Sequence, residues 1–130
     1  MRPSMPFHLE MSDSVFMGGP ILDRVGRLTG DRRYFDASAR HLRFMRKLVL
    51  RPDGIYRHSP LDEAAWGRGN GFPALGVAMC LTDFPAEHPD RPELLRAFQD
   101  HIRALAAHQD ATGCWHHTQT HLWHAEYGIF

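Results

Sequence analysis

The sequence has little cysteine, no net charge and no long apolar run. Among its 130 residues only Cys80 and Cys114 are cysteines, and they lie far apart in segments of different kinds. This spacing favours two buried free thiols in a reducing compartment such as the cytoplasm over a disulfide-stapled secreted domain. No apolar run approaches the roughly 20 residues of a membrane span, and the N-terminal residues lack the apolar core of a signal peptide.

The charges of the chain balance, with 15 Lys and Arg residues against 15 Asp and Glu residues. A neutral chain gives no electrostatic reason to expect nucleic acid or an anionic membrane as a partner. The length allows one domain with a real core. We therefore expect a single domain over residues 1–130 that has neither of these partners.

A repeat becomes visible when the sequence is shifted by 59 residues. Asp31 and Arg32 then fall on Asp90 and Arg91, and residues 54–58 fall on residues 113–117. The match is mostly one of residue kind. A period of this size is typical of helical hairpins that stack on one another.

Each repeat begins with an apolar helix and continues with an amphipathic one. Residues 14–28 and 72–82 are apolar on nearly all sides, which predicts buried helices. The second helices carry one apolar stripe each, Phe35, Leu42, Met45 and Val49 in the first unit and Leu95, Phe98, Ile102 and Leu105 in the second. Inner helices wrapped by outer helices indicate an all-α fold, part of an α/α toroid, with a four-helix bundle as the alternative. Because such arrays need neighbours, further hairpins are expected on both sides.

The segment from Trp66 to Phe72, Trp-Gly-Arg-Gly-Asn-Gly-Phe, is the strongest local signal. Its aromatic residues offer flat faces to sugar rings, and the planar guanidinium of Arg68 suits a carboxylate. An acidic sugar would match both. The alternative is a helix-entry turn, with Pro73 in the first helical turn and Trp66 as a core anchor. The glycine spacing fits neither the G-x-G-x-x-G motif nor the P-loop, the two glycine-rich motifs that bind phosphate.

Asp13 lies at the predicted start of the first inner helix. Taken alone, it is an ordinary helix-start acid. The 59-residue shift places it on Phe72, so both positions are expected on the same rim of the toroid, which His58 and His117 should also reach. A carboxyl group, an arginine, histidines and aromatic rings on one rim would form a plausible sugar site.

The C-terminal segment is rich in histidine, with His116, His117, His121 and His124. Spacings of three and four residues could align zinc ligands on one helical face. No cysteine or acidic partner completes the set, so solvated or stacking histidines are the favoured interpretation. We predict no metal and no cofactor.

Five segments of the chain together resemble the unsaturated glucuronyl and rhamnogalacturonyl hydrolases of glycoside hydrolase families 88 and 105. They are Asp13 to Met17 with Pro20, Thr29 to Asp31 with Tyr34, Gly54 to His58, Trp66 to Phe72, and Gln109 to Asp110 with Gly113, Trp115 and His116. Their order is the same as in the family, and the likeness covers nearly the whole chain. After His116 the residues up to Glu126 depart from the family pattern.

The resemblance implies an (α/α)6 barrel, of which this chain would supply about two helical hairpins of six. It implies removal of a 4,5-unsaturated uronic acid from the non-reducing end of lyase-generated oligosaccharides by hydration of a vinyl ether. In that reaction Asp13 would be the catalytic acid. The resemblance assigns substrate binding to His58, Trp66, Arg68 and Phe72, although many members have Trp where this chain has Phe72.

Two other functions stay open at this point. Sugar epimerases and isomerases share the toroid and its aromatic rims, so the fold alone does not decide between the classes. The chain could also be a truncated remnant that binds sugar weakly or not at all. The family's second aspartate lies on an earlier helix that this sequence does not contain.

Overall fold

The computed structural model describes residues 10–115, and these form four helices and no strand longer than an isolated bridge. The helices are α1 (Ser14–Thr29), α2 (Arg32–Val49), α3 (Gly67–Asp83) and α4 (Arg91–Ala106). α1 packs against α2 and α3, and α3 packs against α4. The first helices of the two hairpins therefore form one layer, which the second helices flank. None of the four helices is long and apolar enough to cross a membrane.

A tight turn joins α1 to α2. Gly30 adopts a left-handed conformation with φ of 71°, and its N–H donates to the carbonyl of Gly26 at 2.8 Å. Asp31 then caps α2 by accepting a hydrogen bond from the N–H of Arg33 at 2.9 Å. Glycine at the end of one helix and aspartate at the start of the next are the residue types that such ends favour.

α1 and α3 come into close backbone contact at Gly76. A Cβ atom at this position would lie 2.7 Å from the Cα of Phe16 and 2.9 Å from its backbone nitrogen. Since two backbones cannot yield to such an overlap, only glycine allows this crossing. The contact fixes how the first helices of the two hairpins lie side by side.

The core lies where the four helices meet. Its largest cluster of buried residues is Val15, Phe35, Ala39, Leu42, Met45, Val49, Tyr56, Cys80, Phe84 and Leu94. The apolar stripe predicted on α2 is confirmed, because all four of its residues are buried. Of the two cysteines, Cys80 is buried and Cys114 is exposed, and both are free.

The predicted start of the second inner helix was wrong. α3 begins at Gly67, so the glycine-rich segment forms its first turns, and Pro73 lies in the interior of the helix instead of its first turn. Glycine costs about 1 kcal/mol relative to alanine in a helix, which is why the sequence argued for a turn here. Tertiary contacts override that preference, since Gly69 and Asn70 are buried in the first turns of α3.

The buried face of α4 also differs from the prediction. Leu94, His101 and Leu105 are buried, whereas Leu95 and Ile102 are about 40% exposed. His101 thus occupies a buried position that was not part of the predicted apolar stripe. The expectation that the first helices are buried on all sides was wrong as well, because α1 exposes Ile21 and α3 exposes Leu75.

Candidate functional site

Asp13 is the residue immediately before α1, yet its side chain does not cap the helix. Its Oδ2 instead accepts a hydrogen bond from an Nη atom of Arg68 at 2.6 Å, which links the start of α1 to the start of α3. The carboxyl group is 15% exposed, and its Oδ1 is buried and has no hydrogen-bond partner among the described residues. The side chain is therefore held by one oxygen and has the other oxygen unused.

Arg68 is the half-exposed member of this ion pair, with 53% of its side chain accessible. Its guanidinium carbon lies 5.9 Å from the centre of the Phe72 ring, one turn further along α3. Phe72 in turn lies 5.1 Å from Phe16 of α1, measured between ring centres. The starts of α1 and α3, which form the α1–α3 rim, thus present a carboxyl group, a guanidinium and two aromatic rings in a row.

His58 belongs to the loop between α2 and α3. Its ring lies 6.1 Å from that of Trp66, measured between centres, and its carbonyl accepts a hydrogen bond from the N–H of Ser12 at 2.8 Å. This bond ties the loop directly to the residue before Asp13. Gly69 permits the approach, because a Cβ there would lie 3.2 Å from Ser12 Oγ and 3.7 Å from His58 Nδ1.

Two buried polar atoms at this junction have no hydrogen-bond partner among residues 10–115. They are the Oγ of Ser12 and the Nδ1 of His58, and both lie beside Gly69. Together with the unused oxygen of Asp13 they leave hydrogen-bonding capacity at the α1–α3 rim, where buried groups are normally satisfied.

Asn70 is a residue of the site that the sequence analysis missed. Its Oδ1 accepts from the N–H of Tyr56 at 2.7 Å, and its Nδ2 donates to the carbonyls of Tyr56 at 2.9 Å and Trp66 at 3.0 Å. His101 Nε2 lies 3.1 Å from the same Oδ1. Asn70 therefore fastens the His58 loop and Trp66 to α3. Only its place inside the glycine-rich motif could have singled it out.

The structure brings all five predicted site residues to the ends of α1 and α3. Asp13 pairs with Arg68, Arg68 faces Phe72, and His58 faces Trp66. His117 and the other histidines of the C-terminal segment lie outside the described residues.

A second polar cluster, Asp36, His88 and Asp90, has side chains close enough to share a cation. Both ring nitrogens of His88 are already engaged, since Nε2 lies 3.1 Å from Asp36 Oδ1 and Nδ1 accepts from the N–H of Asp90 at 3.2 Å. Arg43 neutralises Asp90 and Glu93 and thereby lowers the pKa of both carboxyl groups. The cluster links α2 to the start of α4 and leaves no ligand atom of His88 for a metal.

Solved structures with the same arrangement of helices identify the class of fold. The chain superposes on a family 88 glycosyl hydrolase from Bacteroides vulgatus with a TM-score of 0.81 and 21% identity, over 92% of this chain and 38% of that one. It superposes on a family 105 glycoside hydrolase from C. acetobutylicum ATCC 824 with a TM-score of 0.78 and 22% identity, over 84% of this chain and 35% of that one. The predicted all-α partial toroid is thereby confirmed.

Residues 11–123 match the model of Glycosyl Hydrolase Family 88, and the chain belongs to that family. Unsaturated rhamnogalacturonyl hydrolase YesR of Bacillus subtilis (strain 168) is 28% identical over 113 residues, 81% of this chain and 33% of that protein. Unsaturated 3S-rhamnoglycuronyl hydrolase of Alteromonas sp. (strain LOR) is 25% identical over 114 residues, 80% of this chain and 28% of that protein. The chain thus spans about a third of the length of these curated relatives.

Proposed function

We propose that this chain carries the acid-bearing part of a hydrolase that removes a 4,5-unsaturated uronic acid from the non-reducing end of lyase-generated oligosaccharides. The observation that carries the proposal is the Asp13–Arg68 ion pair on a rim lined by Phe72 and Phe16. Family membership and the names of the two curated relatives support it. Similarity to YesR favours the rhamnogalacturonyl type.

In the proposed reaction Asp13 gives its proton to C4 of the unsaturated ring, and water adds to C5. The resulting hemiketal opens, C1 becomes a hemiacetal, and its collapse releases the leaving sugar. No carboxylate attacks the anomeric carbon, so this scheme differs from that of ordinary glycosidases with paired carboxylates. One carboxyl group that delivers a proton to carbon is the essential requirement.

The ion pair also suggests how Arg68 would take part in binding the substrate. In the free chain one Nη atom of Arg68 donates to Asp13 Oδ2. The half-exposed guanidinium would also meet a uronic carboxylate, which can engage two of its nitrogens at once. Substrate binding would then draw Arg68 away from Asp13 Oδ2 and leave that oxygen beside the sugar.

We further propose that residues 1–130 form part of one catalytic domain, contributing about two helical hairpins of six. The share of the relatives' length that the chain covers, about a third, agrees with this number. The other hairpins would supply the second aspartate that the family carries. An inactive remnant is the competing proposal, since it too would cover only part of the relatives.

The test uses the chain together with the segments that its flanking coding sequence encodes. Unsaturated galacturonyl-rhamnose is the substrate, and loss of absorbance from the conjugated double bond is followed. We expect turnover that Asp13→Asn lowers by at least about 100-fold, the usual contribution of a positioned acid. Asp53→Asn, in the exposed loop after α2, is the matched control and should leave the rate unchanged.

Each alternative has its own outcome in this assay. Turnover that survives unchanged in Asp13→Asn removes Asp13 as the acid. Activity on a saturated free sugar, with none on the unsaturated disaccharide, favours a toroid epimerase. If neither substrate reacts, the remnant is the better description.

A further inference from the structure

Among the described residues around the candidate site, Asn70 has the side-chain amide with the most hydrogen-bond contacts. It is 1% exposed, and both of its ends make two contacts. Oδ1 faces the N–H of Tyr56 and the ring of His101, while Nδ2 donates to the carbonyls of Tyr56 and Trp66. Two donors at one end and two acceptors at the other fix which way the amide points.

His101 supplies one of those donors from α4, outside the α1–α3 rim. An amide oxygen only accepts, so Nε2 of His101 carries the proton and donates across the 3.1 Å contact. The ring also packs edge-on against Tyr56, with 4.7 Å between ring centres. Burial lowers the pKa of His101 to about 4, so the ring is neutral near neutral pH. A neutral imidazole with its proton on Nε2 suits this contact.

We infer that His101 is a positioning residue of the candidate site, which holds the Asn70 amide so that the His58 loop and Trp66 stay against the start of α3. Its connection to the loop is short, because Tyr56 lies two residues before His58. Without the imidazole donor, Asn70 Oδ1 has one partner left and the orientation of the amide is less constrained. The inference takes its ligand, an unsaturated uronyl sugar, from the proposed function.

The experiment compares three variants, each made in the chain together with the segments that its flanking coding sequence encodes. His101→Met fills the space without a donor, and His101→Gln places an amide N–H near the position of Nε2. Leu94→Val, on the same helix and in the largest core cluster, is the control for lost stability. Trp66 is followed by fluorine-19 NMR after incorporation of 5-fluorotryptophan, and binding of unsaturated galacturonyl-rhamnose is measured by titration.

Trp115 provides an internal reference, because its indole N–H donates to the carbonyl of Leu105 at the end of α4. We expect His101→Met to shift or broaden the Trp66 signal while the Trp115 signal stays in place. We expect it to weaken disaccharide binding by about tenfold, the equivalent of one hydrogen bond. His101→Gln should restore both properties, and Leu94→Val should change neither.

The inference is overturned if Trp66 is unaffected by His101→Met, or if Leu94→Val reproduces the same changes. It is also overturned if Trp66 and Trp115 move together, since that indicates general disturbance of α4. If the wild-type protein with its flanking segments does not bind the disaccharide, the proposed function alone is contradicted, because the Trp66 signal still decides the role of His101.

Discussion

Asp23 is a fully buried carboxyl group at the junction of α1, α2 and α3. Its Oδ2 accepts a hydrogen bond from the hydroxyl of Ser38 at 3.0 Å, and its Oδ1 has no partner among residues 10–115. Burial is the main cause that raises the pKa of Asp23, and the net value is about 7. The contacts with Cys80 and Ser38 oppose this rise, and the nearby Asp83 adds to it. At neutral pH the core therefore contains a carboxyl group near its titration point.

The arginines of α1 near this junction pair with another carboxylate and not with Asp23. Arg24 and Arg27 both pair with Asp83, at 2.8 and 2.7 Å. Asp23 is therefore stabilised most when it is protonated, since an ionised buried carboxylate without a cation is costly.

We predict that Asp23→Asn becomes more stable relative to the wild type as the pH rises from about 4 to 7. In that window the folded chain keeps a proton that the unfolded chain has released, so wild-type stability falls as the pH rises. The loss amounts to on the order of 4 kcal/mol and is complete above the folded pKa. Urea unfolding of both proteins between pH 4.5 and 8 measures the difference. Asp100→Asn, on the exposed face of α4, should show no such trend, and a pH-independent difference for Asp23→Asn contradicts the prediction.

The residues of the site differ in how far the sequence could reveal them. Asp13 and Arg68 were predictable because both lie in segments that resemble the family, and the structure shows that they form an ion pair. Asn70 and His101 were not predictable in the same way. Their contact joins positions 31 residues apart and exists only after α3 and α4 pack together.

At the scale of elements, the start of α3 combines poor helix formers with close packing. Gly69 is buried against Ser12, His58 and Trp66, whereas Gly71 is exposed and would place a Cβ in open space. Each glycine lowers helix stability by a similar amount. Of these two positions, only Gly69 has a steric reason to be glycine.

We predict that alanine has opposite effects at these two positions. Gly71→Ala should stabilise the chain by about 0.5–1 kcal/mol, because it restricts the unfolded chain and adds helix propensity. Gly69→Ala should give no gain, since its Cβ would come within 3.2 Å of Ser12 Oγ and push the His58 loop outward. Thermal unfolding measures both variants. Equal stabilisation by the two substitutions contradicts the packing argument.

α2 and α4 show why one amphipathic helix was predictable and its counterpart was not. On α2 the buried face consists largely of apolar residues at helical spacing, which the sequence displays directly. On α4 the buried face includes His101, and Leu95 and Ile102 lie at the exposed edge. The sequence does not show whether an apolar residue of a helix is buried or lies at its exposed edge. Nor does it show whether a histidine is exposed or hydrogen-bonded in the core, because both depend on the neighbouring helices.

Within residues 10–115, large aliphatic and methionine side chains are exposed on α1, α3 and α4. They are Met17, Ile21 and Leu28 of α1, Leu75 and Met79 of α3, and Leu95 and Ile102 of α4. An apolar cavity of about 380 Å³ also opens between α3, α4 and Trp115. Exposed apolar surface of this extent is typical of a face that another element covers. It agrees with the proposal that further hairpins complete the domain.

We predict that the isolated chain self-associates through these surfaces and that Ile21→Glu or Ile102→Glu weakens the association by about tenfold or more. Each isoleucine would bury an apolar side chain worth about 1.5–3 kcal/mol in the contact, and a glutamate there would have to be desolvated. Sedimentation velocity over a range of concentrations measures the effect. Lys47→Gln lowers the net charge by the same one unit at an exposed position of α2, away from these side chains, and should leave association unchanged. A wild-type chain that stays monomeric and melts sharply and reversibly would show that these faces need no partner.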